Sequence, residues 1–147
     1  MKLARVKTEA GIRYAQLRDG KALLLREAPY DGICYSGEEL PLEQCGLAVP
    51  SEPKNIVAVG LNYRSHAEEI KMELTKEPLI FSKWISSMLD PEGTIIKPRV
   101  CKQLDYEAEL AFVVKKKCKE VRRGDAAEYI LGYTCLLYTS PSPRDGA

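Results

Sequence analysis

The stretch Leu104-Asp105-Tyr106-Glu107-Ala108-Glu109-Leu110-Ala111-Phe112-Val113-Val114 decides how the chain is read. Side chains alternate across a strand. On that period Tyr106, Ala108, Leu110, Phe112 and Val114 share one face, which is wholly apolar or aromatic. Asp105, Glu107, Glu109, Ala111 and Val113 share the other. This second face begins with carboxylates and ends in apolar residues, so the acids point the same way as groups that favour burial. Glu107 and Glu109 stand roughly 7 Å apart along the strand. Like charges held that close and partly dried repel, so either one takes up a proton or a cation sits between them. Hard oxygen ligands at this spacing suit Mg²⁺ or Mn²⁺, with Ca²⁺ as a third candidate, and do not suit zinc. The plainer alternative puts both acids on the wet face of an antiparallel strand.

Composition narrows the class. The chain has 147 residues, enough for one ordinary domain and a core. With 45% hydrophobic and 29% charged residues it reads as a globular protein. A net charge of +1 gives no electrostatic case for nucleic acid or an anionic membrane as partner. The basic run Lys115-Lys116-Lys117, with Lys119, Arg122 and Arg123, reads as a solvated loop, a phosphate patch being the alternative. Cysteines 34, 45, 101, 118 and 135 show no paired spacing, and one histidine speaks against a Cys/His zinc site. They are expected to be reduced thiols in a cytoplasmic protein. No apolar run approaches the roughly 20 residues that span a bilayer, and the N-terminus shows no signal region.

Outward from the central strand, residues 1–50 read as a small β-rich module. Leu3–Lys7 and Ile12–Leu17 alternate, and Arg18-Asp19-Gly20-Lys21 is a hairpin signal before Ala22–Leu25. Gly37–Leu42 reads as a turn or short helix interrupted by Pro41. Val49-Pro50-Ser51-Glu52-Pro53 marks a boundary. Beyond it, Ile56–Gly60 is expected to be a buried strand. Ser65–Met72 is expected to be a helix, with Ser65 and Glu68 as a capping box. His66 and Glu69 then share one helical face, where a carboxylate can orient the imidazole and fix its tautomer. An incidental surface pair is the alternative. Pro78–Trp84 reads as a strand entering a loop, with Lys83 either a contact for a substrate carboxylate or a solvated end. Thr94–Ile96 reads as a short strand. Asp125–Gly132 reads as a short capped helix closed by its glycine.

Taken in order, these pieces resemble the fumarylacetoacetate hydrolase (FAH) family. The residues that carry the likeness are Asn55–Tyr63 leading into His66-x-x-Glu69, Phe81-x-Lys83, Asp105-Tyr106-Glu107-Ala108-Glu109-Leu110-Ala111, and Gly132-Tyr133-Thr134. The resemblance covers about residues 1–134. It implies an α+β, β-rich fold: a small N-terminal β module over 1–50, then over 51–134 the first part of an FAH-type β-roll, here incomplete. It further implies a divalent metal on Glu107 and Glu109, a catalytic dyad of His66 and Glu69, and substrate binding by Lys83. In the family pattern proline usually follows that lysine, and here Trp84 does. The third metal ligand, an aspartate in an Asn-Asp-containing segment after Gly-Tyr-Thr, is missing from this chain. The substrates implied are small keto acids: hydrolysis of C–C bonds in acylpyruvate-type molecules, or isomerisation or decarboxylation of related dicarboxylates. The complete parent is expected to be a homodimer, and this chain as written to be inactive. Residues Cys135 to Ala147 resemble a translated sequencing adapter, and are read as a non-native, disordered tail.

Overall fold

Strand follows strand through the first fifty residues because each turn carries the residues its geometry demands. β1 (Lys2–Thr8) and β2 (Gly11–Arg18) pair antiparallel, and Thr8 Oγ1 donates to the Gly11 carbonyl across the turn at 2.8 Å. β2 joins β3 (Lys21–Leu25) through Asp19 and Gly20, both with positive φ (51° and 73°), the twist a two-residue hairpin needs. β4 (Tyr35–Pro41) and β5 (Gly46–Ala48) complete a sheet in the order β4-β3-β2-β1-β5. This is a computed structural model, and it describes residues 1–141.

The core of this sheet is Val6, Ala15, Ala22 and Leu24, packed against Leu17, Leu40 and Cys45. Ala15 lies opposite Leu24, and Leu17 opposite Ala22, so the alternation of each strand delivers its apolar set to one face. Arg5 is also buried, at 8% exposure. Its guanidinium donates to the carbonyls of Val49 and Ser51 (3.2 and 3.3 Å) and lies 5.4 Å from the Tyr14 ring centroid. Asp90 ties the same region: it pairs with Lys7 at 2.7 Å and accepts the Val49 N–H at 2.9 Å.

Gly37–Leu42 is not the expected turn or helix. It belongs largely to β4, whose pairing with β3 is bulged between Leu23 and Leu25. Pro41 is tolerated because it ends an edge strand, and a 3₁₀ turn over Leu42–Gln44 follows.

The chain divides into two compact units, one of Met1–Ser51 with the residues from Asp90 on, the other of Glu52–Leu89. In the second unit β6 (Ile56–Gly60) pairs antiparallel with β7 (Leu79–Lys83), and α1 (Arg64–Glu69) lies between them in sequence. β6 is not the buried strand its sequence suggests: only Ala58 is buried, and Val57 is 62% exposed. A two-stranded sheet has too few neighbours to cover both faces. Helix α1 begins at Arg64 with Tyr63 as its N-cap and no side-chain cap, so Ser65 does not cap it. It stops early because Lys71 turns left-handed (φ 55°). The Met72 and Lys71 N–H groups donate back to the Ala67 and Glu68 carbonyls. That is a Schellman closure with lysine where glycine is usual.

In the first unit, β8 (Leu104–Val114) and β9 (Ile130–Pro141) form a long antiparallel ribbon. Three expectations fail here. Gly132 closes no helix: a 3₁₀ stretch covers Arg123–Tyr129, and Gly132 sits within β9 opposite Val113. Thr94–Ile96 forms no strand, since no strand among the described residues pairs with it, and Ile96 is 85% exposed. The tail expected to be disordered is strand over Cys135–Pro141, because Leu136-Leu137-Tyr138-Thr139 is β-prone and the edge of β8 offers it hydrogen bonds. Residues 142–147 of that tail lie outside the described residues. No helix among the described residues is long and apolar enough to cross a membrane, and all five cysteines are free thiols.

Candidate functional site

The two faces of β8 separate as alternation requires. Tyr106, Leu110 and Phe112 are exposed, together with Tyr133 and Leu137 of β9, so the apolar face is uncovered among the described residues. Glu107, Glu109, Ala111 and Val113 are half-buried on the other face. Register places Tyr138 directly opposite Glu107 and Leu136 opposite Glu109. Tyr138 therefore stands on the acid face, across from one glutamate and diagonal to the next.

The phenol oxygen of Tyr138 lies 2.8 Å from Glu107 Oε2 and 2.7 Å from Glu109 Oε1. It has one hydrogen to donate, so the two carboxylates share it. Burial pushes the Tyr138 hydroxyl well above its ordinary range, and the hydrogen bonds to Glu109 and Glu107 add to this, as do the two nearby negative charges. The phenol stays neutral and hydrogen-donating. A neutral donor from the facing strand thus reaches both acids. Tyr138 was missed in the sequence because it falls in the segment set aside as a tail. No local signal could have found it, because the face it shares with Glu107 and Glu109 is set by the register of β9 against β8.

Two carboxylate oxygens that both reach a single atom converge on one point. That arrangement fits a hard divalent cation, which commonly takes one or two carboxylates from protein and fills its remaining positions with water or substrate oxygens. Among the described residues no third histidine, cysteine, aspartate or glutamate joins the pair. The donor set therefore suits Mg²⁺ or Mn²⁺ with an open coordination shell, and is too small for a closed structural site.

His66 and Glu69 are placed one turn apart on α1, with His66 Nδ1 3.7 Å from Glu69 Oε2. This is ion-pair range and longer than a hydrogen bond. Both side chains are well exposed, at 49% and 79%. Lys83 ends β7 opposite Ile56, with its Nζ 5.1 Å from the Phe81 ring centroid. Thus His66, Glu69 and Lys83 belong to the unit of residues 52–89, and Glu107, Glu109 and Tyr138 to the other.

Residues 55–145 match the family domain described as Fumarylacetoacetate (FAA) hydrolase C-terminal. The chain belongs to the fumarylacetoacetate hydrolase family. The matched span takes in β6 to β9 and passes beyond Thr134. Residues 1–50 match a second domain, described as Rv2993c-like, N-terminal. Within the family, the chain is 41% identical over 88 residues to an oxaloacetate tautomerase (fahd2, mitochondrial) of Xenopus laevis, covering 60% of this chain and 28% of that protein. A 5-carboxymethyl-2-hydroxymuconate delta-isomerase from Mycobacterium smegmatis superposes with a TM-score of 0.85 at 28% identity, over 99% of this chain and 58% of the other. A maleylpyruvate hydrolase from Sphingobium sp. SYK-6, in complex with manganese(II) and pyruvate, shares the fold. Its TM-score is 0.69 at 23% identity, over 99% of this chain and 61% of that one. The chain spans about a third of the length of the curated relatives it matches. Its relatives are enzymes, and the β-rich architecture is the family's.

Proposed function

We propose that the chain is the N-terminal portion of a divalent-metal-dependent enzyme acting on small keto acids, in which Glu107 and Glu109 hold the cation. The observation that carries this reading is the convergence of the two carboxylates on one point. When bound, Mg²⁺ or Mn²⁺ would polarise the keto-acid oxygens and favour developing enolate charge. His66 is the base. Glu69 lies on its Nδ1 side, which leaves Nε2 to take the proton. Lys83 supplies a cation for a substrate carboxylate.

Two reactions fit these roles. In hydrolysis of an acylpyruvate, His66 takes a proton from water, the hydroxide formed attacks the remote carbonyl, and the adjoining C–C bond breaks to give a carboxylic acid and the enolate of pyruvate, which takes that proton back at carbon. In keto–enol isomerisation, the same base takes a proton from the carbon beside the ketone and returns it to the enolate oxygen, or carries it the other way. The isomerisation reading of oxaloacetate or 2-hydroxymuconate-type dicarboxylates is favoured, because the relatives at 41% and 28% identity carry those activities in their names. The hydrolase supports the fold alone. We extend the proposal to a cytoplasmic, homodimeric complete protein.

The test is the complete protein in Mg²⁺, with enol-to-keto conversion of oxaloacetate followed by ultraviolet absorbance beside cleavage of an acylpyruvate. Conversion should exceed cleavage, and Glu107→Gln or Glu109→Gln should each lower it by about 100-fold or more. Activity that survives both substitutions and chelation of the metal would contradict the proposal.

A further inference from the structure

We propose that the N-terminal module holds Lys83 in place: Arg5 and Lys7 of β1 clasp the chain at both ends of residues 52–89, and so keep closed the β6–β7 pair that Lys83 terminates. This rests on reading Lys83 as the cation for a substrate carboxylate. Residues 1–50 thereby gain a positioning role in the reaction, exerted through Asp90.

Arg5 and Lys7 stand two positions apart on β1 and share a face. β1 pairs with β5, where Arg5 lies opposite Ala48 and Lys7 opposite Gly46. Gly46 leaves room for the Lys7 stem, since a Cβ there would lie 3.3 Å from Lys7 Cδ. The chain leaves β5 across Arg5, whose Nη1 donates to the Val49 and Ser51 carbonyls. It comes back at Asp90, which pairs with Lys7 Nζ at 2.7 Å and accepts the Val49 N–H at 2.9 Å. Val49 and Asp90, 41 positions apart, are thus bonded directly. These residues all belong to the first unit, and residues 52–89 lie within the loop they close. The half-exposed Lys7–Asp90 pair alone would contribute little. The bond from the Val49 backbone and the buried Arg5 turn it into a closure. Its effect falls on β6 and β7, because a lone two-stranded pair is marginal in water. The connection carrying α1 joins these strands on one side, and the clasp joins them on the other. Ile56 and Lys83 form the register pair nearest the clasp in sequence. With Val49 and Asp90 held, closing that pair costs less chain entropy. Loss of the clasp frays the Ile56–Lys83 end first, and Lys83 loses its fixed position.

Asp90→Ala in the complete protein removes both bonds that Asp90 makes to the clasp. Amide hydrogen exchange, read by mass spectrometry, should speed up about tenfold in β6 and β7 while β2 and β3 stay unchanged. Unchanged exchange in β6 and β7, or equal acceleration in β2 and β3, overturns the proposal. Lys7→Met breaks the clasp from the other side and leaves the Val49 bond, so it should give a smaller change in the same strands. It decides the matter if Asp90→Ala does not fold. Conversion of oxaloacetate then tests the link to Lys83. Lys83→Met should raise KM about tenfold and Asp90→Ala about fivefold, the scale of one hydrogen bond from a charged group, with kcat within about twofold. Together they should raise KM no further than Lys83→Met alone, because both act through one ammonium. Additive effects, or a fall in kcat with KM unchanged, overturn the positioning role. If Lys83→Met raises KM and Asp90→Ala does not, the proposal fails and the reading of Lys83 stands. If Lys83→Met changes nothing, that reading fails and the proposal with it.

Discussion

Arg5 offers the sharpest energetic prediction for the N-terminal module. Its guanidinium is 8% exposed, donates to two carbonyls and faces the Tyr14 ring. Arg5→Met keeps the apolar stem and removes the charge. Hydrogen bonds from a charged donor contribute about 1.5–3 kcal/mol each, and the ring contact about 0.5–2 kcal/mol. These are not additive, and relief from burying a cation offsets part of the loss. The net expectation is a destabilisation of about 2–4 kcal/mol, large against the 5–15 kcal/mol of a typical domain. Urea unfolding followed by circular dichroism should show a lower midpoint with unchanged slope. Arg5→Lys should fall between the parent and Arg5→Met, because both carbonyls are reached from the single Nη1 and an ammonium keeps the charge there while losing the planar group that faces Tyr14. A shift below about 0.5 kcal/mol for Arg5→Met would refute the assignment of Arg5 as the tie between β1 and the Val49–Ser51 segment.

Further outcomes follow from single features. Lys71 holds φ 55° at the end of α1. Lys71→Gly should therefore stabilise the helix end by about 0.5–1 kcal/mol, seen as slower amide exchange at Met72. Asp90 is held below the usual carboxylate range, first by its hydrogen bond from Lys7 and then by the Val49 N–H. Because its folded pKa is depressed, the stability it confers is present above its unfolded value and lost as pH falls through the folded one. Asp90→Asn should thus be less stable than the parent at neutral pH, with the difference narrowing in denaturant titrations below about pH 4. Leu110→Thr and Phe112→Thr should reduce aggregation measured by light scattering, since both residues stand uncovered on the ribbon.

How much of this was legible depended on whether the signal was local. The Asp19-Gly20 turn could be read because positive φ at both positions restricts the residues allowed. The two faces of β8 could be read because alternation is set by the strand itself. β4 could not: Gly37 and Pro41 are turn and breaker signals, and only pairing with β3 makes the segment a strand. Ile56–Gly60 has the apolar run of a buried strand, yet its exposure depends on neighbours that a five-residue stretch does not specify. His66 and Glu69 were placed together correctly by helical spacing, while their exposure and 3.7 Å separation depend on surroundings that spacing does not encode. Tyr138 needed register, a property of two strands, and it lies in the segment that resembles a translated adapter.

Whether Glu107 and Glu109 hold a cation is read most directly from anomalous diffraction at the manganese edge of crystals of the complete protein soaked in Mn²⁺. A peak is expected within bonding distance of both the Glu107 and Glu109 carboxylates. No peak there, or one elsewhere on the chain, would contradict that assignment.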